Sequence, residues 1–346
     1  VLLYLERSIR WNNNASAFEN RYYHYHKLSG ALLMGYSSLR NGLVGIVVGG
    51  LLVGGSLASV AQARTLDTAY GDVEVNDAPE RVVTLYEGAL DAALAAGVTP
   101  VGAITTRGGD NVAEYVEAHF NGERPEIVGV TREINIEAVL AQQPDLILAA
   151  AQLSEEQYQL LSRIAPTVVP HAQPLAFDSW KAEARLYGQA LNREAEIDDA
   201  IATVDQRISE LAAAIDNANA GGTAVLARWM PNGPMVMSKE LIATGLVAEV
   251  GLEVQYAGLV AEGHPHSDIL SLENLSQVDS DWLFLATLNA DGQAALDAAK
   301  QSAAFTRLDV VKRDQVVAVN GQLWSSANGP LAAQAILDDI ENALLP

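Results

Sequence analysis

Short apolar runs alternate with helical periods along most of this chain. Arg81–Tyr86 (RVVTLY) predicts a buried strand, and Gly88–Gly97 (GALDAALAAG) a helix ending on a glycine. Val98–Ile104 predicts a second strand. Ile136–Gln143 predicts a helix that stops before Pro144, and Asp145–Ala149 (DLILA) the strand after it. Thr223–Ala227 and Gln315–Val319 predict further strands, with a Pro/Gly loop at Pro231–Pro234. Pro330–Leu344 predicts a last helix with Pro in its first turn. Strands alternating with helices in this way predict parallel sheets covered by helices, an α/β fold.

Ser179–Leu191 contains no Pro and a single Gly, with Asp178 or Ser179 placed to cap it. After Asn192, apolar residues recur at Ile197, Ile201, Val204, Ile208, Leu211 and Ile215, one helical face. The pattern on either side of this stretch repeats. Asn135-Ile136-Glu137 leads through a helix to Asp145-Leu146-Ile147-Leu148, and Ser271-Leu272-Glu273 leads through a helix to Asp281-Trp282-Leu283-Phe284. In each case the Glu lies eight residues before the Asp. Ala93–Gly97 and Val247–Gly251 form a second matching pair, in the same order. Two repeats flanking a helical stretch predict two Rossmann-like lobes joined by a single long hinge helix. The expected boundaries are 64–177 for the N-terminal lobe, 178–192 for the hinge helix and 193–346 for the C-terminal lobe.

The first 63 residues follow another pattern. Arg40, the apolar run Leu43–Val53 and Ala61-Gln62-Ala63 read as a secretory signal peptide over 34–63, cleaved after Ala63. Met34 is a natural start for it, and 1–33 read as unstructured sequence ahead of that start. The expected location is the periplasm. Cys is absent, so disulfides, thiolate metal sites, iron–sulfur ligation and a lipid-anchoring cysteine are not expected.

Charge narrows the function classes. The chain carries −22, and residues after 63 hold 16 basic against 41 acidic residues. So acidic a surface repels phosphate backbones and argues against nucleic acid as a partner. An anionic ligand would need locally clustered arginines. No G-x-S-x-G elbow or P-loop occurs. The motif His264-Pro265-His266-Ser267-Asp268 has the H-x-H-x-D form of zinc hydrolases, but Ile269 follows the Asp and no His lies beyond His266. A ligand-lining role, ligation of iron or haem, and a plain polar loop stay open for His264 and His266. A secreted metal-dependent hydrolase is the remote alternative.

The phrases Pro79-Glu80-Arg81-Val82-Val83, Ala96–Gly102, Asn135-Ile136-Glu137 through Pro144–Ile147, and Arg163-Ile164-Ala165-Pro166 resemble the ferric-siderophore and vitamin B12 class of periplasmic binding proteins, over about residues 67–345. The resemblance implies a non-enzymatic, monomeric component of an ABC importer. It would capture a ferric siderophore between its lobes, with haem or vitamin B12 as the alternative, and hold no cofactor of its own. It further implies that Glu137 and Glu273, one per lobe, dock on arginines of a dimeric inner-membrane permease. Arg107, Arg132 and Arg228 are candidate contacts for an anionic iron complex, because guanidinium offers fixed charge and forked donors. Tyr86, Trp229 and Trp324 are candidate walls for its apolar periphery. Trp324 is expected in a loop before the last helix. Some relatives have a tyrosine after the strand that starts at Asp145, where this chain has Gln152-Leu153-Ser154.

Overall fold

The computed structural model describes residues 63–345 apart from 121 and 257. The expected signal peptide and the stretch before it therefore lie outside the described residues, save for Ala63. The described residues open with a hairpin of β1 (Ala63–Thr68) and β2 (Gly71–Asn76), an element the sequence pattern does not predict. The N-terminal lobe follows: β3 (Val82–Leu85), α1 (Glu87–Ala95), β4 (Gly102–Ala103), β5 (Glu126–Ile127), β6 (Gly129–Val130), β7 (Glu133–Ile134), α2 (Ile136–Ala141), β8 (Leu146–Ala149), α3 (Glu155–Leu161) and β9 (Thr167–Val168). Its sheet has the order β5-β4-β3-β8-β9 and is parallel throughout. β6 and β7 form a small separate hairpin. The strand expected over Val98–Ile104 shrinks to β4, because only Gly102 and Ala103 pair with β3.

The connection is helical. α4 (Ser179–Leu191) has the expected bounds, and α5 (Glu194–Ala218) continues after a break at Asn192, which adopts a left-handed φ of 56°. Along α5, Ile197, Ile201, Val204, Leu211 and Ile215 are buried, the face that the spacing predicts. The C-terminal lobe comprises β10 (Gly222–Met230), β11 (Gly233–Val236), α6 (Ile242–Glu249), β12 (Leu252–Val254), β13 (Trp282–Thr287), α7 (Ala290–Lys300), α8 (Ala303–Thr306), α9 (Asp309–Lys312), β14 (Val316–Asn320), α10 (Gly321–Ser326) and α11 (Pro330–Leu344). Its sheet runs β11-β10-β13-β14, with β12 also on β10. β11 is antiparallel to β10, so this sheet is mixed.

The sequence repeat has a structural counterpart. Asp145 accepts hydrogen bonds from the backbone N–H groups of Glu80 and Arg81 (2.8 and 2.9 Å), just ahead of β3. Asp281 accepts from the N–H and hydroxyl of Thr223 (both 2.9 Å), at the start of β10. Each Asp thus ties the strand that follows it to the start of its lobe's first sheet strand. A shared apolar cluster runs through both lobes, from Ala89, Ala92 and Ala93 on α1 through α4 and α5 to Ala333, Ile336 and Leu337 on α11. Burying one continuous layer of helices against both sheets couples the lobes mechanically.

Candidate functional site

In parallel α/β sheets, loops at the carboxyl ends of strands are free of the packing that fixes the strands themselves, and ligands bind there. Here such ends from the two lobes meet. The loop Thr105–Gly109 leaves β4 and lies against Leu288, just past β13, and Gln322, on α10 just past β14. A Cβ at Gly108 would stand 3.3 Å from the Leu288 Cβ, and one at Gly109 would stand 2.8 Å from the Gln322 amide nitrogen. Gly108 also has a φ of +78°, so both backbone conformation and close approach call for glycine.

This loop and the β6–β7 turn enclose an open pocket of about 350 Å³, lined by Thr105, Thr106, Arg107, Val130, Thr131 and Arg132 with two glycines. The Thr131 hydroxyl donates to the Thr105 carbonyl (3.2 Å), and the Thr105 N–H donates to Gly129 (3.1 Å). Arg132 occupies the turn with a φ of +75°, a strained conformation for a side chain with a Cβ. Both Arg107 and Arg132 are exposed at this mouth.

Arg228 approaches Arg107 from the other lobe. It does not follow β10, as the sequence suggested, but lies within it. Pro231 and Asn232 form a tight connection, and β11 pairs back on β10 with Arg228 opposite Met235. Arg228 is 1% exposed. One of its terminal nitrogens lies 3.0 Å from the Met235 sulfur, and its Nε has no partner. Burial, and then the charge of Arg107, lower its pKa to about 10. Among the described residues, none of Arg107, Arg132 and Arg228 has a carboxylate within salt-bridge distance. A desolvated guanidinium without a counter-charge is unfavourable, and an anion arriving beside it removes that penalty.

The aromatic candidates have other fates. Trp324 is on α10 rather than in a loop, and it is 0% exposed. It stacks on Phe284 (ring centroids 4.7 Å apart), and its indole N–H donates to Asp339 (2.7 Å). Trp229 is 3% exposed and packs edge-on against Phe305. Successive strand residues face opposite ways, which sends Trp229 into the second core cluster of the C-terminal lobe. Both are core residues, and neither offers a free face to a ligand in this conformation. Tyr86 sits at the junction of lobes and hinge. Its hydroxyl accepts from the Asn328 amide (2.8 Å) and donates to Glu183 on α4, and burial drives its pKa far upward. His266 lies on a segment that runs antiparallel to β11, bridged to Met237, with Nδ1 2.8 Å from the Ser267 carbonyl. His264 is exposed. Neither ring lines the arginine pocket.

The glutamate pair is placed symmetrically in the repeat. Glu137 is in the first turn of α2, which Asn135 caps by accepting from the Ala138 N–H (3.1 Å). Glu273 is in the first turn of the expected helix, a 3-10 helix over Leu272–Val278. Both are exposed.

Three acidic residues at this junction stand outside the predicted set of site residues. Glu87 is buried beneath the Arg107 loop, accepting from the Thr106 hydroxyl (2.9 Å) and the Arg107 N–H (3.0 Å). Burial pushes its pKa to about 7, against those two hydrogen bonds and the nearby Arg107 charge. Asp91 is fully buried on α1 and reaches α11 in the other lobe. Glu183 is raised as well, chiefly by burial. For Glu87 and Asp91 the available signal was their position in an otherwise apolar helix, EGALDAALA; Glu183, between Lys181 and Arg185 on α4, carried no such signal.

Two α/β lobes, a helical connection and an arginine-bearing pocket whose loop abuts the other lobe define a two-lobed solute-binding protein. The chain belongs to the family described as "Periplasmic binding protein", whose profile matches residues 82–323. It is 30% identical over 300 residues to the "probable siderophore-binding lipoprotein YfiY" of Bacillus subtilis (strain 168), covering 84% of this chain and 90% of that one. It is 24% identical to the "Fe(3+) dicitrate-binding periplasmic protein FecB" of Escherichia coli (strain K12), covering 81% and 90%. Among solved structures, Staphylococcus aureus SirA complexed with staphyloferrin B is similar with a TM-score of 0.68 and 25% identity, covering 81% of this chain and 98% of SirA. Among the described residues, no helix is long and apolar enough to cross a membrane.

Proposed function

We propose that this protein captures an anionic ferric siderophore at the seam between its lobes and delivers it, unchanged, to the permease of an ABC importer on the outer side of the inner membrane. The observation that carries the proposal is Arg107 and Arg132 at the pocket mouth with the buried Arg228 of the other lobe close enough to feel the Arg107 charge, none of them with a salt-bridged carboxylate among the described residues, in a chain of net charge −22. Cations so placed against the overall field attract a locally concentrated negative charge. The names of relatives, which bind siderophores and ferric dicitrate, support the same reading. A siderophore already fills the coordination sphere of its iron, so the pocket need only recognise the outside of the complex.

Haem and vitamin B12 are disfavoured by the burial of Trp229 and Trp324, which leaves little flat aromatic wall. The threonine hydroxyls and arginines around the pocket match an oxygen-rich, carboxylate-bearing complex better than an aromatic one. Glu137 and Glu273, one exposed on each lobe, suit a partner with paired arginines, and a monomer docking on a dimeric permease fits that arrangement. The signal peptide over 34–63 and export without a lipid anchor belong to the same reading.

Isothermal titration of the purified protein with ferric citrate, a ferric catecholate and haemin tests the proposal. Saturable binding of the ferric carboxylate, weakened by added salt, is the expected result. Binding of haemin alone would overturn it.

A further inference from the structure

The carboxylate under the arginine loop is the least expected group at this site. Glu87 opens α1 at the carboxyl end of β3 and is buried. It holds the loop through two hydrogen bonds, one from the Thr106 hydroxyl and one from the Arg107 backbone. It does not line the pocket itself. The groups facing it are Arg107 from the β4 loop, Tyr115 from the 3-10 turn Glu114–His119, and its neighbour Tyr86. Glu183 on α4 reaches Tyr86 rather than Glu87, and Asp91 lies beyond, on the Tyr115 hydroxyl. Arg107 is thus the cation closest to Glu87, and the same Arg107 faces the pocket and Arg228.

We infer that Glu87 is a proton-linked positioning residue, so that an anion bound at Arg107 and a proton on Glu87 are taken up together. The inference rests on the capture reading above. An anion seated on Arg107 draws that charge away from Glu87 and adds its own repulsion, which favours the neutral carboxyl. By linkage, protonating Glu87 strengthens anion binding by the same factor. The loop geometry survives protonation, since a hydroxyl donates or accepts. If Oε2 carries the proton, it donates to the Thr106 oxygen, and Oε1 still accepts from the Arg107 N–H. What changes is charge. The raised pKa of about 7 puts the transition where a modest drop in external pH acts on it.

Glu87→Gln preserves both contacts and is permanently neutral, so it mimics the protonated form. Ferric citrate is the probe, titrated calorimetrically into both proteins from pH 6 to 8.5. Comparing the two proteins at each pH cancels the probe's own protonation. Near pH 6 the dissociation constants should agree. By pH 8 the native protein should bind about five- to tenfold more weakly than the variant. At pH 7, in two buffers of different ionisation enthalpy, the native protein should take up protons that the variant does not. A ratio independent of pH overturns the inference alone, whereas no binding by either protein at any pH overturns the capture reading and the inference with it. A third measurement needs neither ligand nor variant: carbon-13 titration of the assigned Glu87 carboxyl in the native protein. A midpoint near 7 supports the inference, and one below about 5, in the ordinary carboxylate range, overturns it.

Discussion

Asp91 on α1 caps the helix that contains Ala332, in the opposite lobe. Its carboxylate accepts from the Leu331 N–H (2.9 Å) and the Ala332 N–H (2.8 Å), the otherwise unpaired donors at the start of α11. The Tyr115 hydroxyl donates to the same carboxylate (3.0 Å). The helix itself supplies no capping side chain, because its flanking residue is Gly329, with a φ of +129°. A Cβ there would collide with the Asp91 carboxylate, so glycine makes room for it. The cap is therefore a bolt between lobes, next to the hinge.

Asp91→Ala is expected to lower stability by about 2–4 kcal/mol, from a lost cap (about 0.5–2) and a buried tyrosine hydroxyl left unpaired (about 1–3). Asp91→Asn keeps one acceptor and should lose roughly 1 kcal/mol. Urea denaturation checks both. Equal stability of Asp91→Ala and the native protein would mean that the lobes are held without this bond.

Acid should stabilise the protein before it harms it. Burial raises the carboxyls of Asp91 and Glu87 to about 7 and raises Glu183 as well. Unfolded, these groups titrate near 4. Between those values the folded state binds more protons than the unfolded one, so stability falls as pH rises from about 4.5 to 7.5. Melting temperatures should decline across that window, and the decline should be shallower in Glu87→Gln. Parallel curves for the two proteins would show that Glu87 ionises without penalty.

Arg228 should trade stability for affinity. Replacing it with Met, similar in length and uncharged, removes a buried cation that has no salt-bridged carboxylate among the described residues. The ligand-free variant should melt at the same temperature or higher. Its affinity for a ferric carboxylate should drop by about 1.5–3 kcal/mol, roughly ten- to a hundredfold. Thermal melts and titration calorimetry report the two effects separately. A variant that binds normally would remove Arg228 from the site.

Replacing Glu137 and Glu273 together, by Ala or Arg, should leave ligand binding intact and cut uptake and permease association. Either replacement alone should do less, since one anchor remains. Association of the native protein with immobilised permease should slow with salt more than that of the double variant. Normal radioactive-iron uptake by the double variant would reduce both residues to exposed first-turn acids, placed there by the helix dipole.

Much of the fold is legible in the sequence because its signals are local. The period of apolar residues marks α5, and the run without breakers marks α4 with the expected bounds. The Glu–x₇–Asp repeat marks two like halves, and both Asp residues prove to be strand clips. The hairpin of β10 and β11 was missed. Pro231–Pro234 reads as a loop, and only the pairing of Arg228 with Met235 shows that the chain turns back at once. That pairing also moves Arg228 and Trp229 from a loop into a strand.

The candidate site divides along the same line. By itself the sequence determined the order of the elements, the two-lobed plan, and the placement of Arg107 and Arg132 on loops at strand ends, because each of these follows from residues close together in the chain. Tertiary structure alone decided which side chains remain for a ligand. Trp324 looks available until Phe284 and Asp339 claim it, and Asp91 looks like a stray acid in an alanine-rich helix until α11, some 240 residues on, arrives above it. Burial and hydrogen-bond satisfaction are properties of assembled surfaces. The free energy that makes a tryptophan core or an arginine a binding group is set by partners that only folding brings near.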